Sequence, residues 1–407
     1  MAKTIIVQKY GGTSVADVDR IRNAAKKVVK TKKDGYNVVV VVSALGDSTD
    51  ELIRLAHKIT EHPNERELDM LISTGEQVSC ALLTMAIHKF GEDAISFTGA
   101  QVGIITDNAF TKARIIDINA KRIVEELNSD KIVIVAGFQG VNLNQDITTL
   151  GRGGSNLTAV ALAKVLDAGS CEMYTDVEGV FTADPRIVKD ARKLDRISYE
   201  EMFELASLGA QVLQPRSIEF AMKFGVPIHV RSSFSNKVGT IISKEVKAME
   251  DTVVSGVALN KDEAKVTICD VPDKPGIAAK IFKEIAKEDI NVDMIVQNVS
   301  RTGATDVSFT VPGVDLNKTI RVAKEISNKI AAGAVAFDKD IAKVSVVGIG
   351  MKSHSGVAAS MFEALAEENI NIEMISTSEI KISCVVRKIH AEKAVRAIHE
   401  KFGLSKK

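Results

Sequence analysis

The sequence predicts an α/β protein in two parts: a mainly parallel sheet covered by helices, followed by two ferredoxin-like α+β modules. Two observations predict this. Up to about residue 240, apolar strand-like runs alternate with amphipathic helical stretches, a pattern typical of a parallel sheet with helices on both faces. Beyond that point the alternation gives way to an internal repeat. A chain of 407 residues has room for roughly two to four domains.

The composition is that of a soluble globular protein, with 45% apolar and 26% charged residues and no Trp. Lys and Arg balance Asp and Glu at 53 each, so no overall field attracts nucleic acid or membranes. The N-terminus passes from Lys3 directly into a strand-like run, with no apolar segment there long enough for a signal peptide or a membrane span. The cysteines are scattered singly among apolar neighbours, which favours buried thiols and a cytoplasmic location: Cys80, Cys171, Cys269 and Cys384.

The first strand and helix enclose a lysine and two glycines. Thr4 to Gln8 is a short apolar run typical of a buried strand, and Asp17 to Lys30 has helical spacing. Lys9, Gly11 and Gly12 therefore fall at the turn, where backbone N–H groups and a helix N-terminus are able to cradle an anion. An ordinary turn beside a surface lysine is the alternative.

The next strands place further polar loops at the carboxyl edge of the sheet, where ligands bind in such folds. The clearest strands are Val38 to Ser43, Ile132 to Gly137, Glu172 to Thr175 and Ile228 to Arg231. The segment from Ser43 to Asp50 follows one of them and supplies hydroxyls for a small polar ligand. Glu76 lies in a helical stretch, where a solvated face is expected, but the break at Gly75 makes a role in a site plausible.

A second glycine-rich segment runs from Gly151 to Asn156, before a helix expected from about Leu157 to Asp167. Arg152 offers a bidentate grip on a carboxylate or phosphate, and the glycines expose backbone N–H groups. A helix capped by Ser155 or Asn156 is the alternative. Three glycines beside an arginine exceed what capping needs, so we favour an anion site.

An acidic loop runs from Tyr174 to Gly179 and continues from Val180 to Arg186. Its paired acidic residues suit a nucleotide with Mg²⁺. An ordinary loop between a strand and a helix explains the residues equally well, so both interpretations stay open.

The second part of the chain contains a duplication. Gly276 aligns with Gly356 and Asn291 with Asn371, each pair 80 positions apart. Each copy is expected to form strand, helix, strand, strand, helix and strand, as in a ferredoxin-like module. The segment from Asp251 to Asp262 connects the two parts or builds an extra strand.

Three motifs together closely resemble the aspartate kinases of the amino acid kinase family: Lys9-Tyr-Gly-Gly-Thr-Ser, Gly151-Arg-Gly-Gly-Ser and Thr175-Asp-Val-Glu-Gly-Val-Phe-Thr-Ala-Asp-Pro-Arg. The resemblance covers essentially the whole chain, because these enzymes also carry two ACT modules. It implies a catalytic domain at residues 1–245 and ACT regions at 246–336 and 337–407. It also implies Mg²⁺-dependent transfer of the γ-phosphoryl of ATP to the β-carboxylate of L-aspartate. The product, 4-phospho-L-aspartate, enters lysine, threonine and methionine synthesis.

The resemblance also implies roles for individual residues. Lys9 and Asn156 are the expected catalytic residues, with Lys9 stabilising charge on the transferred phosphoryl group. The nucleotide is expected to contact Lys9, Gly11, Gly12, Ser155, Thr175, Asp176, Val180, Phe181, Asp184, Pro185, Arg186 and Gln211. Aspartate is expected to contact Ser43, Thr49, Glu76, Arg152, Gly153, Gly154 and Ser155, with Glu76 on its α-ammonium group and Arg152 on a carboxylate.

Two segments depart from the family pattern, at three residues. Asn156 stands where the family usually has aspartate, and Gln211 and Gln214 stand where it has lysine and histidine. We expect slower turnover or weaker metal binding. Activity should be retained, because a carboxylate with a pKa of about 4 is already ionised and no general base is needed.

The ACT region implies control by an amino-acid effector, with joint action of lysine and threonine as the leading hypothesis. The expected effector-binding residues are Asp273, Lys274, Pro275, Gly276, Ile277, Ala278, Asn291, Asp293, Gln297, Met351, Ser353, His354 and Asn371. His354 is a candidate pH switch, although a loop histidine is more often structural or exposed. We expect ACT modules to form a homo-oligomer or an assembly of full and shorter subunits, and Met249 is a candidate start for a shorter chain.

Two other functions compete with this interpretation. One is a kinase for another substrate, such as glutamate or carbamate; the ACT repeat and the segment from Ser43 to Asp50 count against it. The other is a catalytically silent amino-acid sensor that has degenerated at Asn156 and Gln211. Retention of Lys9 and Glu76 counts against that.

Overall fold

The computed structural model describes residues 3–210, 212–244, 253–298 and 303–405. They form two compact units. The first comprises Met1–Val180, Lys193–Ser207 and Gln211–Lys247, and the second comprises Phe181–Arg192, Leu208–Ala210 and Ala248–Lys407. Gln211 and Met249 lie outside the described residues.

The first unit contains twelve strands and eight helices within the described residues. The strands are β1 Ile5–Tyr10, β2 Asn37–Val42, β3 Ala94–Phe97, β4 Ile104–Thr106, β5 Ile115–Ile118, β6 Ile132–Ala136, β7 Gln139–Val141, β8 Ile147–Thr149, β9 Ser170–Thr175, β10 Arg196–Ser198, β11 Ile228–Ser232 and β12 Thr240–Ser243. The helices are α1 Val18–Lys33, α2 Ser48–Ile59, α3 Glu65–Ile72, α4 Thr74–Lys89, α5 Lys121–Asn128, α6 Gly154–Val165, α7 Tyr199–Ser207 and α8 Pro215–Phe224.

The predicted sheet is confirmed, and it has eight strands in the order β10-β12-β11-β9-β1-β2-β6-β3. Every neighbouring pair is parallel except β11 and β12. The central strand β2 is an almost unbroken run of valine, buried on both faces as a parallel sheet requires. A smaller sheet, β5-β4-β7-β8, contributes to the same unit.

Helix α6 is the central helix of this unit. Every residue from Gly154 to Ala163 is buried, because the helix packs against β1, β2 and β9. It begins three residues before the predicted start at Leu157 and ends at Val165. The first turn of the helix therefore includes Ser155 and Asn156.

The stretch Glu65–Lys89 is long and apolar enough to cross a membrane by composition alone, but half of its most apolar window is buried in the fold. It is two helices, α3 and α4, joined at Ser73. Two buried carboxylates, Asp69 and Glu76, lie one on each side of that junction. These properties are typical of helices that pack in a protein core.

The second unit contains two four-stranded sheets. Its strands are β13 Gly256–Asn260, β14 Glu263–Pro272, β15 Ile295–Gln297, β16 Ala304–Pro312, β17 Val335–Asp338, β18 Ile341–Val347, β19 Met374–Thr377 and β20 Lys381–Arg387. Its helices are α9 Ile277–Lys287, α10 Leu316–Ile330, α11 Val357–Glu367 and α12 Ala391–Lys401. The sheet orders are β15-β16-β14-β17 and β13-β18-β20-β19.

The first module has the predicted order of elements, but the second does not. After α12 the described chain has no sixth element; its last pairing is an isolated bridge between Ser405 and Ala191. The fourth strand is instead β13, which precedes the first module and pairs with β18 in the place that β17 takes beside β14. Residues 256–260, which lie within the 246–336 range predicted for the first module, therefore pair with the sheet of the second module. The possible extra strand within residues 251–262 is present.

Candidate active site

Loops from four neighbouring strands meet at the carboxyl edge of the large sheet. Ser43 N donates a hydrogen bond to the Tyr10 carbonyl at 3.0 Å, which joins the ends of β1 and β2. Gly46 N donates to the Gly12 carbonyl at 3.1 Å. A Cβ at Gly12 would lie 2.9 Å from the Gly46 carbonyl, so this approach requires glycine. The glycine turn and the loop after Ser43 thus form one surface.

The ammonium group of Lys9 lies beside this turn. Its Nζ is 3.2 Å from the position that a Cβ on Gly11 would occupy. Burial lowers the pKa of Lys9 to about 8. Among the described residues no carboxylate forms an ion pair with Lys9. An ammonium group held in this way attracts an anionic ligand, which would restore its ordinary pKa.

Glu76 lies in the first turn of α4 and is only 3% exposed, so the expected solvated face is wrong. Its Oε1 accepts a hydrogen bond from Ala44 N at 3.1 Å, while Oε2 is buried without a partner among the described residues. Burial raises the pKa of Glu76 to about 7. The predicted break lies at Ser73 rather than at Gly75, which is inside α4; a Cβ at Gly75 would lie 2.8 Å from Ala44 Cβ, so the glycine allows the close approach. The free oxygen suits the ammonium group of a ligand.

The glycine-rich segment before α6 is not a helix capped by Ser155 or Asn156. The N-cap is Gly153, in a left-handed conformation with φ of 77°. Ser155 packs against Gly137 at the end of β6, where a Cβ would lie 2.7 Å from Ser155 Cβ. Asn156 is 7% exposed in the first helical turn. Arg152 is exposed, with no ion pair among the described residues.

The acidic loop divides between the two units. Thr175 ends β9 and donates its hydroxyl to Asp176 Oδ1 at 3.0 Å. Val180 also belongs to the first unit, and its N–H donates to Thr240 Oγ1 at 2.9 Å.

The other predicted nucleotide contacts in this loop, Phe181, Asp184, Pro185 and Arg186, pack with the second unit. There Asp184 pairs with Arg186 at 2.6 Å. The structure therefore groups Asp176 with the other loops at the carboxyl edge, while the assignment of these four residues stays a prediction.

A polar cluster below the turn was not found from the sequence. Glu172 on β9 accepts hydrogen bonds from Gln8 at 2.8 Å, Tyr174 at 3.1 Å and Arg231 at 2.8 Å. Tyr10 stacks on Tyr174 with ring centroids 4.7 Å apart. The cluster ties β1, β9 and β11 together. Gln8 and Glu172 interrupt apolar strand runs, and that interruption was the available signal.

The expected effector residues lie in equivalent places of the two modules. Helices α9 and α11 each begin after a glycine with positive φ, Gly276 at 88° and Gly356 at 91°. Around them lie exposed or half-buried residues: Asp273, Lys274, Pro275, Ile277, Ala278, Asn291 and Gln297 in the first module, and Met351, Ser353 and Asn371 in the second. His354 is exposed, with Nδ1 2.9 Å from the Gly350 carbonyl.

Asp293 is already engaged. It pairs with Lys343 of the other module, and Lys343 also binds Glu263 at 2.6 Å. Burial alone lowers the pKa of Lys343, but these two carboxylates outweigh it and raise the pKa above its ordinary value. Lys265 and Glu373 form the corresponding pair in the opposite direction. The two modules are thus joined by reciprocal ion pairs.

The described residues contain no group of three or more His, Cys, Asp or Glu side chains placed to hold a metal ion. The site offers oxygen ligands singly, such as the Asp176 carboxylate and the Asn156 amide. Mg²⁺ commonly binds through one or two protein ligands and the phosphates of its nucleotide. The residues present are compatible with a metal that arrives with the nucleotide.

Comparison with known proteins gives matches over nearly the whole chain. The profile of the amino acid kinase family matches residues 4–232, and that of an ACT domain matches residues 270–326 and 344–402. An aspartate kinase of Stutzerimonas stutzeri is 54% identical over 98% of this chain and 97% of its own length. An aspartokinase of Pseudomonas aeruginosa is 54% identical over 98% of both chains.

Solved structures of aspartokinases are also similar to this chain. The crystal structure of E. coli aspartokinase III in complex with aspartate and ADP is similar with a TM-score of 0.83 and 26% identity, over 98% of this chain and 99% of that one. The same enzyme in complex with lysine and aspartate gives a TM-score of 0.77.

Proposed function

Since this chain belongs to the aspartate kinases, with a catalytic domain of the amino acid kinase family and two ACT modules, we propose that its carboxyl-edge loops transfer the γ-phosphoryl group of ATP to the β-carboxylate of L-aspartate. The observation that carries the proposal is the buried Lys9 ammonium beside Gly11, with the unpartnered Glu76 oxygen at the adjoining loop. One group suits a phosphate, and the other suits an amino acid.

The experiment that tests this proposal is ATP-dependent formation of aspartyl hydroxamate. We expect product with L-aspartate and little with L-glutamate. Preference for glutamate would favour a kinase for another amino acid. Absence of product with both, with effector binding retained, would favour an amino-acid sensor.

On the nucleotide side, we assign the phosphates to Lys9, Gly11, Gly12 and the first turn of α6. Backbone N–H groups and the positive end of a helix suit phosphate oxygens. Asp176 and Thr175 are assigned to the nucleotide and its metal. Bound Mg²⁺ would neutralise negative charge on the phosphates.

On the substrate side, we assign the α-ammonium group of aspartate to Glu76 and a carboxylate to Arg152. Ser43 and Thr49 are half-buried; Ser43 directly precedes Ala44, which binds Glu76, and Thr49 lies in the first turn of α2. Guanidinium groups bind carboxylates bidentately, which also fixes the orientation of the ligand.

Transfer then requires little covalent chemistry from the protein. A carboxylate oxygen of aspartate forms a bond with Pγ, the bond between Pγ and the bridging oxygen breaks, and ADP leaves. The carboxylate is already ionised, so no side chain needs to take a proton. Lys9 stabilises the charge that spreads over the transferred oxygens.

Asn156 supplies a neutral oxygen where the family usually has aspartate. We predict that Asn156→Asp raises kcat or lowers the Mg²⁺ concentration needed for half-maximal rate, because a charged acceptor binds Mg²⁺ or an ammonium group more strongly. Steady-state rates over a Mg²⁺ series measure both. Asn128→Asp, at an exposed position at the end of α5, is the control. No change in either quantity for Asn156→Asp would refute the assigned role.

For regulation, we propose that lysine, threonine or both bind at the starts of α9 and α11, where backbone N–H groups suit the effector carboxylate. Asp293 is the expected partner of an effector ammonium group, and its pairing with Lys343 means that binding would disturb the ion pairs between the modules. Effector binding is thereby linked to the arrangement of the modules.

We predict that Asp293→Asn raises the half-inhibitory concentration of lysine plus threonine at least about tenfold, the effect of roughly 1.4 kcal/mol. Inhibition curves of the hydroxamate reaction measure it. Glu325→Gln, which removes an exposed ion pair with Arg321, is the control and should leave the curve unchanged. Identical curves for Asp293→Asn and wild type would exclude Asp293 from the effector site.

We also propose assembly through the ACT modules, as a homo-oligomer or with shorter subunits. Strand β15 is an edge strand, and its side chains are exposed, including Ile295 at 52%. Edge strands with exposed apolar residues are suited to pairing with another chain. The lone thiols are compatible with a cytoplasmic location.

A further inference from the structure

The chain just before Arg152 is bound by Asp69, a residue of α3 that is not among the proposed substrate contacts. Asp69 has no exposed surface. Its Oδ2 accepts hydrogen bonds from Thr149 N and Thr111 N, both at 2.9 Å, and its Oδ1 accepts one from the Thr149 hydroxyl at 2.6 Å. Three donors to one buried carboxylate make a rigid joint between α3 and the end of β8.

The next residue along the chain is held as well. Arg216 donates from Nη1 to the Leu150 carbonyl at 2.7 Å and from Nη2 to the Ala113 carbonyl at 2.8 Å. Thr149 and Leu150, the two residues before Gly151, are therefore each bound by a charged side chain that is buried or half-buried. Hydrogen bonds from two charged side chains to consecutive residues restrain the backbone more than an ordinary loop requires.

The backbone held by Asp69 is in an unfavourable conformation. Thr111 has φ of 63°, a left-handed value that is rare for a β-branched residue. Its carbonyl lies 3.1 Å from where a Cβ on Gly151 would be, and Gly151 itself has φ of 75°. Such conformations persist only where neighbouring groups hold them, and they cluster at functional sites. The Asp69 bond to Thr111 N is such a restraint.

Asp69 and Glu76 stand on two helices that meet at Ser73. Glu76 binds the loop of Ala44, and Asp69 binds the segment of Arg152. We propose that Asp69 is a positioning residue for the acceptor substrate: it sets the place of Arg152 relative to Glu76, so that the two charges match the spacing of the carboxylate and ammonium groups of an amino acid. This inference rests on the proposed function of both residues.

The test is Asp69→Asn, which keeps the size of the side chain but turns one acceptor oxygen into a donor facing backbone N–H groups. We expect KM for aspartate to rise about tenfold or more, since small displacements of a substrate-binding group have effects of that size. KM for ATP should stay unchanged. In an Arg152→Ala background, Asp69→Asn should add nothing further, because Asp69 acts through Arg152.

Thr149→Val removes one hydrogen-bond donor to Asp69 and keeps the shape of the side chain. It replaces Asp69→Asn as the test variant if Asp69→Asn does not fold. It should raise KM for aspartate and leave KM for ATP unchanged. Asp146→Asn is the control, because Asp146 joins α3 to the β7–β8 hairpin through Arg66 without touching the segment of Arg152.

A wild type without aspartate turnover would overturn the proposed function itself. If wild type is active and Arg152→Ala raises KM for aspartate, the proposed function stands. An Asp69→Asn variant with unchanged KM for aspartate, or with equal rises in both KM values, would then overturn this inference alone.

Discussion

Replacing Lys9 by methionine is expected to lower kcat by about 10³-fold while the folded structure is kept, since loss of one group that stabilises transition-state charge has effects of this order. Lys9 lies beside the Gly11 turn with no anionic partner among the described residues, so its positive charge is left to interact with the transferred phosphoryl group. Hydroxamate formation at saturating aspartate and ATP measures kcat.

The same variant should be more stable than the wild type. Burial lowers the pKa of Lys9 to about 8, so between that pH and the ordinary value near 10.5 the unfolded chain binds more protons than the folded one. Stability therefore rises with pH across this window, and at neutral pH the buried charge costs about 1 to 3 kcal/mol. Lys9→Met removes that cost, which thermal unfolding at pH 7 measures.

Lys27→Met is the matched control. Lys27 is also a lysine whose pKa is lowered by burial, but its ammonium group already binds Ser235 and Asn236 and lies over the Tyr174 ring. It should change kcat little. A Lys9→Met protein with wild-type kcat would refute the role of Lys9 in transfer, whatever its stability.

The second large effect is expected from Glu76→Gln. The amide keeps an acceptor for Ala44 N but removes the charge that faces the ammonium group of aspartate, so kcat/KM for aspartate should fall by about 10²-fold, an effect of roughly 2.7 kcal/mol. KM for ATP should stay near its wild-type value. Steady-state kinetics with each substrate varied in turn separate the two.

The pH profile provides an independent test. Burial raises the pKa of Glu76 to about 7, so in the wild type kcat/KM for aspartate should rise with pH through that value, as the charged form becomes available. Stability moves in the opposite direction: between about pH 4.5 and 7 the folded state holds the extra proton, so the free energy of unfolding falls as pH rises.

Glu76→Gln should abolish both trends. Glu201→Gln, at a buried carboxylate that binds Ser198, is the control. A Glu76→Gln variant that kept the rise in kcat/KM through pH 7 would show that another group binds the ammonium.

Local patterns predicted much of this molecule because each element depends on near neighbours. The valine run of β2 is apolar on both faces, and only a buried parallel strand accommodates that. The turn at Gly11 could be predicted from its neighbours in the sequence, because an apolar strand precedes it and an amphipathic helix follows it. The position of Arg152 on a loop before a helix could also be predicted, since a run of glycines is typical of such a turn, and Gly151 and Gly153 do have positive φ.

The errors arose at residues whose surroundings are determined by contacts with parts of the chain far away in the sequence. Glu76 is a charged residue in the first turn of α4, and its burial depends on contacts such as that with Ala44, which lies 32 residues earlier in the chain. The fourth strand of the second module, β13, comes from before the first module, and no local pattern shows which sheet it joins. Asp69 was missed for the same reason: its three donors lie 42 and 80 residues away.

The most direct test of the central claim compares hydroxamate formation by wild type, Lys9→Met and Lys27→Met with saturating ATP and L-aspartate, and with L-glutamate in a parallel series. We predict rapid aspartyl hydroxamate formation by wild type and Lys27→Met, about 10³-fold less by Lys9→Met, and little product from glutamate. Equal rates for Lys9→Met and wild type, or a wild type that forms no aspartyl hydroxamate, would contradict the assignment of the carboxyl-edge loops as the site of phosphoryl transfer.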